Sequence, residues 1–226
     1  MVTRSVLQRT FYIKYQVSDQ YSTLGTAFTF EINNVQYLAT TSHSFTFTEH
    51  CQELDILIMR NNEWETIHSK IFKHPKKAVD ICILALPNDL SPRHFVEMTD
   101  KGVQLGQDTF FLGFPYGKFM DVEINNDYPI PFVKKGIFSS ILIGGQNPPP
   151  DVYSFYLDAM NNPGFSGGPC CFIPAGKNLP AICGIIKGYH PHEIEVKTPL
   201  GNYTFEENSG LVEVHSIHHL FEIPLD

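Results

Sequence analysis

Apolar and polar residues alternate along most of this chain with a period of two, in short runs broken by glycine, proline and asparagine. Alternation of this kind turns one face of an extended segment to a core and the other to solvent. It predicts strands at 10–15, 24–30, 35–40, 55–60, 66–72, 108–113, 135–143, 152–157, 170–173, 181–188 and 209–214. Turns are expected at Ser18-Asp19-Gln20 and at Ile32-Asn33-Asn34-Val35, where adjacent asparagines tolerate left-handed backbone. The run Ile81-Cys82-Ile83-Leu84-Ala85-Leu86 contains no polar residue and reads as a strand buried on both faces, which puts Asp80 at the mouth of a core. Residues 87–102 are polar, carry two prolines and read as a connection between an N-terminal lobe (1–95) and a C-terminal lobe (96–226). Asn147-Pro148-Pro149-Pro150 reads as an exposed loop, 189–202 as an irregular loop and 216–221 as a short terminal helix.

Composition narrows the class. Among 226 residues, 13% aromatics with 16 Gly and 16 Pro favour many short strands joined by tight turns, and the expected fold is all-β. The net charge of −8 argues against a nucleic-acid partner. The first nine residues lack an apolar core of signal-peptide length, and the longest apolar run, 81–86, is far too short to span a membrane. Five cysteines, an odd number without a Cys-x-x-Cys pair, are read as free, structural thiols of a reducing cytoplasm. His190-Pro191-His192 and His218-His219 lack acidic or cysteine neighbours at metal spacing and are read as surface histidines, so no metal site is assigned.

The candidate chemistry lies between two predicted strands, in Asp158-Ala159-Met160-Asn161-Asn162-Pro163-Gly164-Phe165-Ser166-Gly167-Gly168-Pro169. Glycine lets the backbone turn its amides toward a neighbouring hydroxyl, and two such amides beside Ser166 would make an oxyanion hole from Gly164 and Ser166. A serine needs a base, and the base needs an orienting acid. His43, at the end of strand 35–40, and Asp80 supply both residue types, in the order His, Asp, Ser. Asp55 and His74 are weaker candidates: Asp55 lies close to His43 in sequence, and His74 falls in a basic loop.

These residues carry a resemblance to the chymotrypsin-like serine proteases, and among them to the HtrA type. Gly25-Thr26-Ala27-Phe28, Tyr37-Leu38-Ala39-Thr40-Thr41-Ser42-His43, Asp80-Ile81-Cys82-Ile83-Leu84, Gly113-Phe114-Pro115-Tyr116-Gly117, Gly136-Ile137-Phe138-Ser139 and the Ser166 segment resemble that family's motifs in order. The resemblance implies two six-stranded antiparallel barrels with a cleft between them, and a serine endopeptidase that needs no cofactor. His43 and Asp80 would come from the first lobe and Ser166 from the second. Ile185, Ile186 and Lys187 would pair with an extended peptide substrate. Gly184 and Gly210 would leave room along the primary specificity pocket, with Met160 near its floor and an apolar or small side chain preferred.

Phe165 stands where digestive members carry an aspartate that pairs with a new N-terminus, so activation by that route is not expected. No PDZ-like segment is recognisable, and a regulatory protein partner is expected to restrain the activity. The alternative reading is a catalytically silent trypsin-like fold that binds peptides or serves as a scaffold. An α/β-hydrolase esterase is excluded by the order of the three residues.

Overall fold

The computed structural model describes residues 2–18, 21–45, 50–120, 127–142, 151–199 and 201–225. Asp19 and Gln20 of the first expected turn, Ile143 and the Asn147-Pro148-Pro149-Pro150 loop lie outside them.

The first lobe is a closed antiparallel barrel. Its strands are β1 (Thr10–Ser18), β2 (Tyr21–Ile32), β3 (Val35–Thr40), β4 (Cys51–Arg60), β5 (Glu63–Lys73) and β6 (Cys82–Ala85), joined in the order β1-β2-β3-β6-β5-β4. Asn33 and Asn34 have φ of 51° and 63°, as a two-residue hairpin turn of matching twist requires. Asn61 and Asn62 repeat this between β4 and β5, at 50° and 60°. Inward residues Phe11, Ile13, Leu38, Ile56, Ile71 and Leu84 fill the barrel.

The second lobe contains β7 (Glu97–Met98), β8 (Asp108–Gly113), β9 (Phe132–Leu142), β10 (Ser154–Asp158), β11 (Pro169–Phe172), β12 (Ala181–Thr198) and β13 (Gly201–Ser216). Its sheet runs β11-β8-β9-β10-β13-β12, and β11 also pairs with β12, so six strands close on themselves, while β7 lies parallel to the start of β12. Phe111, Phe138, Phe155, Leu157 and Phe172 pack inside. The two barrels share a third apolar cluster: Phe28, Phe30 and Ile83 meet Leu112, Ile182 and Ile185, together with Ile217 and Leu220 of a terminal 3₁₀ helix, Ile217–Glu222. Burial of that area holds the two barrels together.

One expectation is corrected. The segment 189–202 is no irregular loop: β12 and β13 continue as a two-stranded ribbon paired from Pro191↔Asn208 to Thr198↔Gly201. Pro191 and the surrounding charges mask a genuine period-two pattern, Ile194-Glu195-Val196 opposite Tyr203-Thr204-Phe205. The terminal helix is 3₁₀, capped by the Ser216 hydroxyl, which accepts from the His218 amide. A single helical turn, Arg4–Leu7, precedes β1 and buries Val6.

Candidate active site

β3 and β6 pair with Thr40 opposite Cys82. Two further steps along this antiparallel register bring residue 42 opposite residue 80, just where β3 gives way to the short 3₁₀ turn Ser42–Ser44. The Asp80 carboxylate is thus met by three donors. The Ser42 hydroxyl donates to Oδ1 at 2.6 Å, the His43 amide to Oδ1 at 2.8 Å, and His43 Nδ1 to Oδ2 at 2.5 Å. The Asp80 side chain is only 15% exposed, against 51% for His43. Burial raises the Asp80 pKa, but the hydrogen bonds from His43 and Ser42 outweigh it and hold the group below the usual carboxylate value. The Asp80 hydrogen bond in turn raises the His43 pKa against desolvation. With Nδ1 committed to the carboxylate, Nε2 is the nitrogen left to exchange a proton.

The Ser166 segment is built from a β-turn. Phe165 N–H donates to Asn162 C=O at 3.3 Å, with Pro163 second and Gly164, at φ +105°, third, the arrangement that favours a type II turn. Thr26 of β2 anchors the turn from the other lobe: its hydroxyl donates to Gly164 C=O at 2.6 Å and its amide to Ser166 C=O at 2.9 Å. Gly167 has φ +85°, and a Cβ there would lie 2.0 Å from the Thr26 oxygen. A Cβ on Gly25 would sit between Ser166 O at 3.5 Å and Ser44 Oγ at 3.7 Å, so the Ser166 turn and the His43 turn flank one point of β2. Among the described residues, the Gly164 and Ser166 amides and the Ser166 hydroxyl have no hydrogen-bond partner. Phe165 is fully buried, edge-on to Phe111 at 5.1 Å.

The expected substrate strand needs adjustment. Ile185 and Ile186 are buried, Ile185 pairs with His215, and Ile186 uses its C=O and N–H on Gly167 and Gly168 at 2.8 and 2.9 Å. Neither has backbone free for a peptide. Lys187, left out of the β13 register by a bulge, is the first residue of the open edge, which runs on to Gly188 and Tyr189. A Cβ at Gly184 would meet His215 O and Val214 Cγ1 at 2.5 Å, so this glycine permits close strand packing. Gly210 has φ +77° and nothing within 4 Å of a Cβ. Met160 is 57% exposed, whereas its neighbour Asn161 is buried and accepts from Asn208 Nδ2 at 2.5 Å. Tyr189 escaped the sequence reading because 189–202 was read as a loop, Gly188 because it was read as the end of strand 181–188, and Asn208 because it fell between the expected loop and the expected strand 209–214.

The surface reading of His218-His219 holds only for His218, since His219 is fully buried, as is His74. The ligand atoms of His74, His219 and Glu222 lie within 4.8 Å of one another. Backbone amides decide their protonation. Lys76 N–H donates to His74 Nδ1 and Tyr153 N–H to His219 Nε2, so the opposite nitrogens carry protons and donate to Glu222 Oε2 at 3.1 and 2.9 Å. A metal would need lone pairs where these N–H groups stand, so the trio is a hydrogen-bonded buttress between the lobes.

No protein-family model and no curated protein matches the sequence. Solved structures do match. The HtrA-type protease AlgW with a tripeptide superposes with a TM-score of 0.62 at 16% identity, over 96% of this chain and 59% of that one. AlgW with a decapeptide gives 0.61 at 14% identity, over 94% and 62%. The inactive form of a serine-to-alanine mutant of Rv3671c from M. tuberculosis H37Rv gives 0.58 at 14% identity, over 96% and 84%. This chain spans about three fifths of the AlgW chain. With its two barrels, it has a trypsin-like protease fold related to that of the HtrA-type proteases.

Proposed function

We propose that this chain is a serine endopeptidase in which Ser166 is the nucleophile, His43 the general base and then acid, and Asp80 the orienting carboxylate. The observation that carries the reading is that the turn holding the His43–Asp80 pair and the Ser166 turn flank one point of β2, with the Gly164 and Ser166 amides unengaged among the described residues. In this reading His43 Nε2 takes the hydroxyl proton as Ser166 attacks the peptide carbonyl, and the two amides stabilise the resulting oxyanion. The protonated imidazole then gives its proton to the leaving amine, and water cleaves the acyl-enzyme by the same steps in reverse. Catalytic hydrogen bonds are often long before substrate binds, so the unbonded Ser166 hydroxyl is compatible with this sequence of events.

A peptide would add to the open edge from Lys187 onward, and AlgW, with its bound peptides, supports a polypeptide occupant. The exposed, apolar Met160 side chain and the open space beside Gly210 support a preference for apolar or small side chains before the scissile bond. The unbonded Ser166 hydroxyl also favours the second reading, a silent peptide-binding module. A proteome-wide cleavage profile of the native chain against Ser166→Ala separates the two. New termini that vanish with Ser166→Ala support the protease, and identical profiles contradict it.

A further inference from the structure

Lys134 lies on β9 opposite Phe111 of β8, and its side chain reaches the segment that carries Ser166. Its ammonium donates to Met160 C=O at 2.6 Å and to Asn162 Oδ1, and sits 5.2 Å from the centre of the Phe165 ring. Among the described residues no carboxylate pairs with it, although the neighbouring Lys135 has Asp108. A half-buried ammonium without a counter-ion loses hydration, and desolvation lowers its pKa accordingly. The contacts that offset this cost all fall on residues 160, 162 and 165, within six residues of Ser166. Asn162 is further tied to the Tyr116 hydroxyl at 3.2 Å. Three ammonium donors are well suited to such a task, because a compact charge can bind two oxygens and face an aromatic ring together.

We propose that Lys134 is a positioning residue that pins the 160–165 turn, and with it the Gly164 amide, in the orientation an oxyanion requires. The proposal rests on the reading of Ser166 as nucleophile. A one-ångström misplacement of a reacting geometry costs about 10²-fold in rate, so loss of the ammonium should be felt in chemistry more than in binding.

The test uses a fluorophosphonate on the intact chain, resolving the maximal labelling rate from the half-saturating concentration. Lys134→Met, uncharged and similar in length, should lower the maximal rate by about 10- to 100-fold while the half-saturating concentration stays within about 3-fold. Lys134→Arg, which keeps the charge and donors, should recover most of that loss. Hydrogen exchange of residues 160–166 should quicken in Lys134→Met with the melting temperature little changed.

Should Lys134→Met fail to fold, Asn162→Ala removes one acceptor and should lower the same rate by several-fold, with no further loss in the double variant where that variant folds. Wild-type labelling rates in Lys134→Met and Asn162→Ala overturn the proposal and leave the Ser166 reading intact. A wild-type chain that is not labelled overturns the reading itself. The exchange measurement then decides the pinning alone: quickened exchange sustains it, and unchanged exchange overturns it.

Discussion

The backbone amide of Asp80, in the first lobe, donates to Nε2 of His215, in the second, at 3.2 Å. Since an amide can only donate, Nδ1 of His215 carries the proton and faces the Ser154 hydroxyl at 2.9 Å. The imidazole is almost wholly buried and thus fixes Asp80 from behind while His43 and Ser42 fix it from the front. Replacing His215 by Phe leaves the Asp80 amide and the Ser154 hydroxyl unpaired. We expect a stability loss of about 2–4 kcal/mol, read as a fall in the denaturation midpoint, and a smaller loss of activity than Asp80 variants show.

Acid should destabilise the fold through the same residue. Burial pushes the His215 pKa from 6.5 down to about 3, so the folded state refuses a proton that the unfolded chain accepts. Its contribution is fully present above pH 6.5 and is lost as pH falls from 6.5 toward 3, by at most about 1.4 kcal/mol per unit. His74 and His219, also lowered chiefly by burial, act in the same direction. His43, raised by Asp80, acts in the opposite sense: its contribution is present below 6.5 and fades as pH rises through its folded pKa. It is half exposed and counts for less. Denaturant unfolding at pH 7 and pH 5 should show a clear loss of stability in the native chain and a shallower one in His215→Gln.

Asp80→Asn should lower turnover by about 10⁴-fold, because the carboxamide no longer holds the imidazole tautomer that leaves Nε2 free. It also removes the main cause of the raised His43 pKa. The acid limb of the residual rate, which marks protonation of His43, should move to lower pH. A loss of only a few-fold, or an unmoved limb, contradicts the role given to Asp80.

Two glycines give a matched pair. Gly167→Ala introduces a Cβ 2.0 Å from Thr26 O and 2.2 Å from Thr40 Oγ1 on left-handed backbone, and should cost about 2 kcal/mol or more together with the reactivity of Ser166. Gly188→Ala meets nothing within 4 Å and should change stability by about 0.5 kcal/mol or less. Equal melting temperatures for the two variants would contradict the tight docking of the Ser166 turn on β2.

Closure into two barrels was legible only through the family resemblance, but the strands were readable because period-two alternation, the Asn33-Asn34 turn and the unbroken run 81–86 each reflect a local rule that tertiary packing did not override. His43 and Asp80 were readable for the same reason, since they flank strands that pair. What escaped depends on long-range register. Ile185 and Ile186 look like an exposed edge until Gly167 and Gly168 are seen to occupy the Ile186 backbone. The distal ribbon was hidden by Pro191, and its apolar face leaves Tyr203 and Phe205 46% and 56% exposed, so no burial signal reinforced the pattern. Lys134 carries no motif at all, and its contacts come from a strand and a turn 26 to 31 residues apart.

Fluorophosphonate labelling followed by peptide mapping tests the central claim most directly. One adduct, on the Ser166 hydroxyl, is predicted for the folded native chain, none for Ser166→Ala, and a rate lower by orders of magnitude for His43→Ala. A folded chain that takes no label, or labels equally fast without His43, would contradict it.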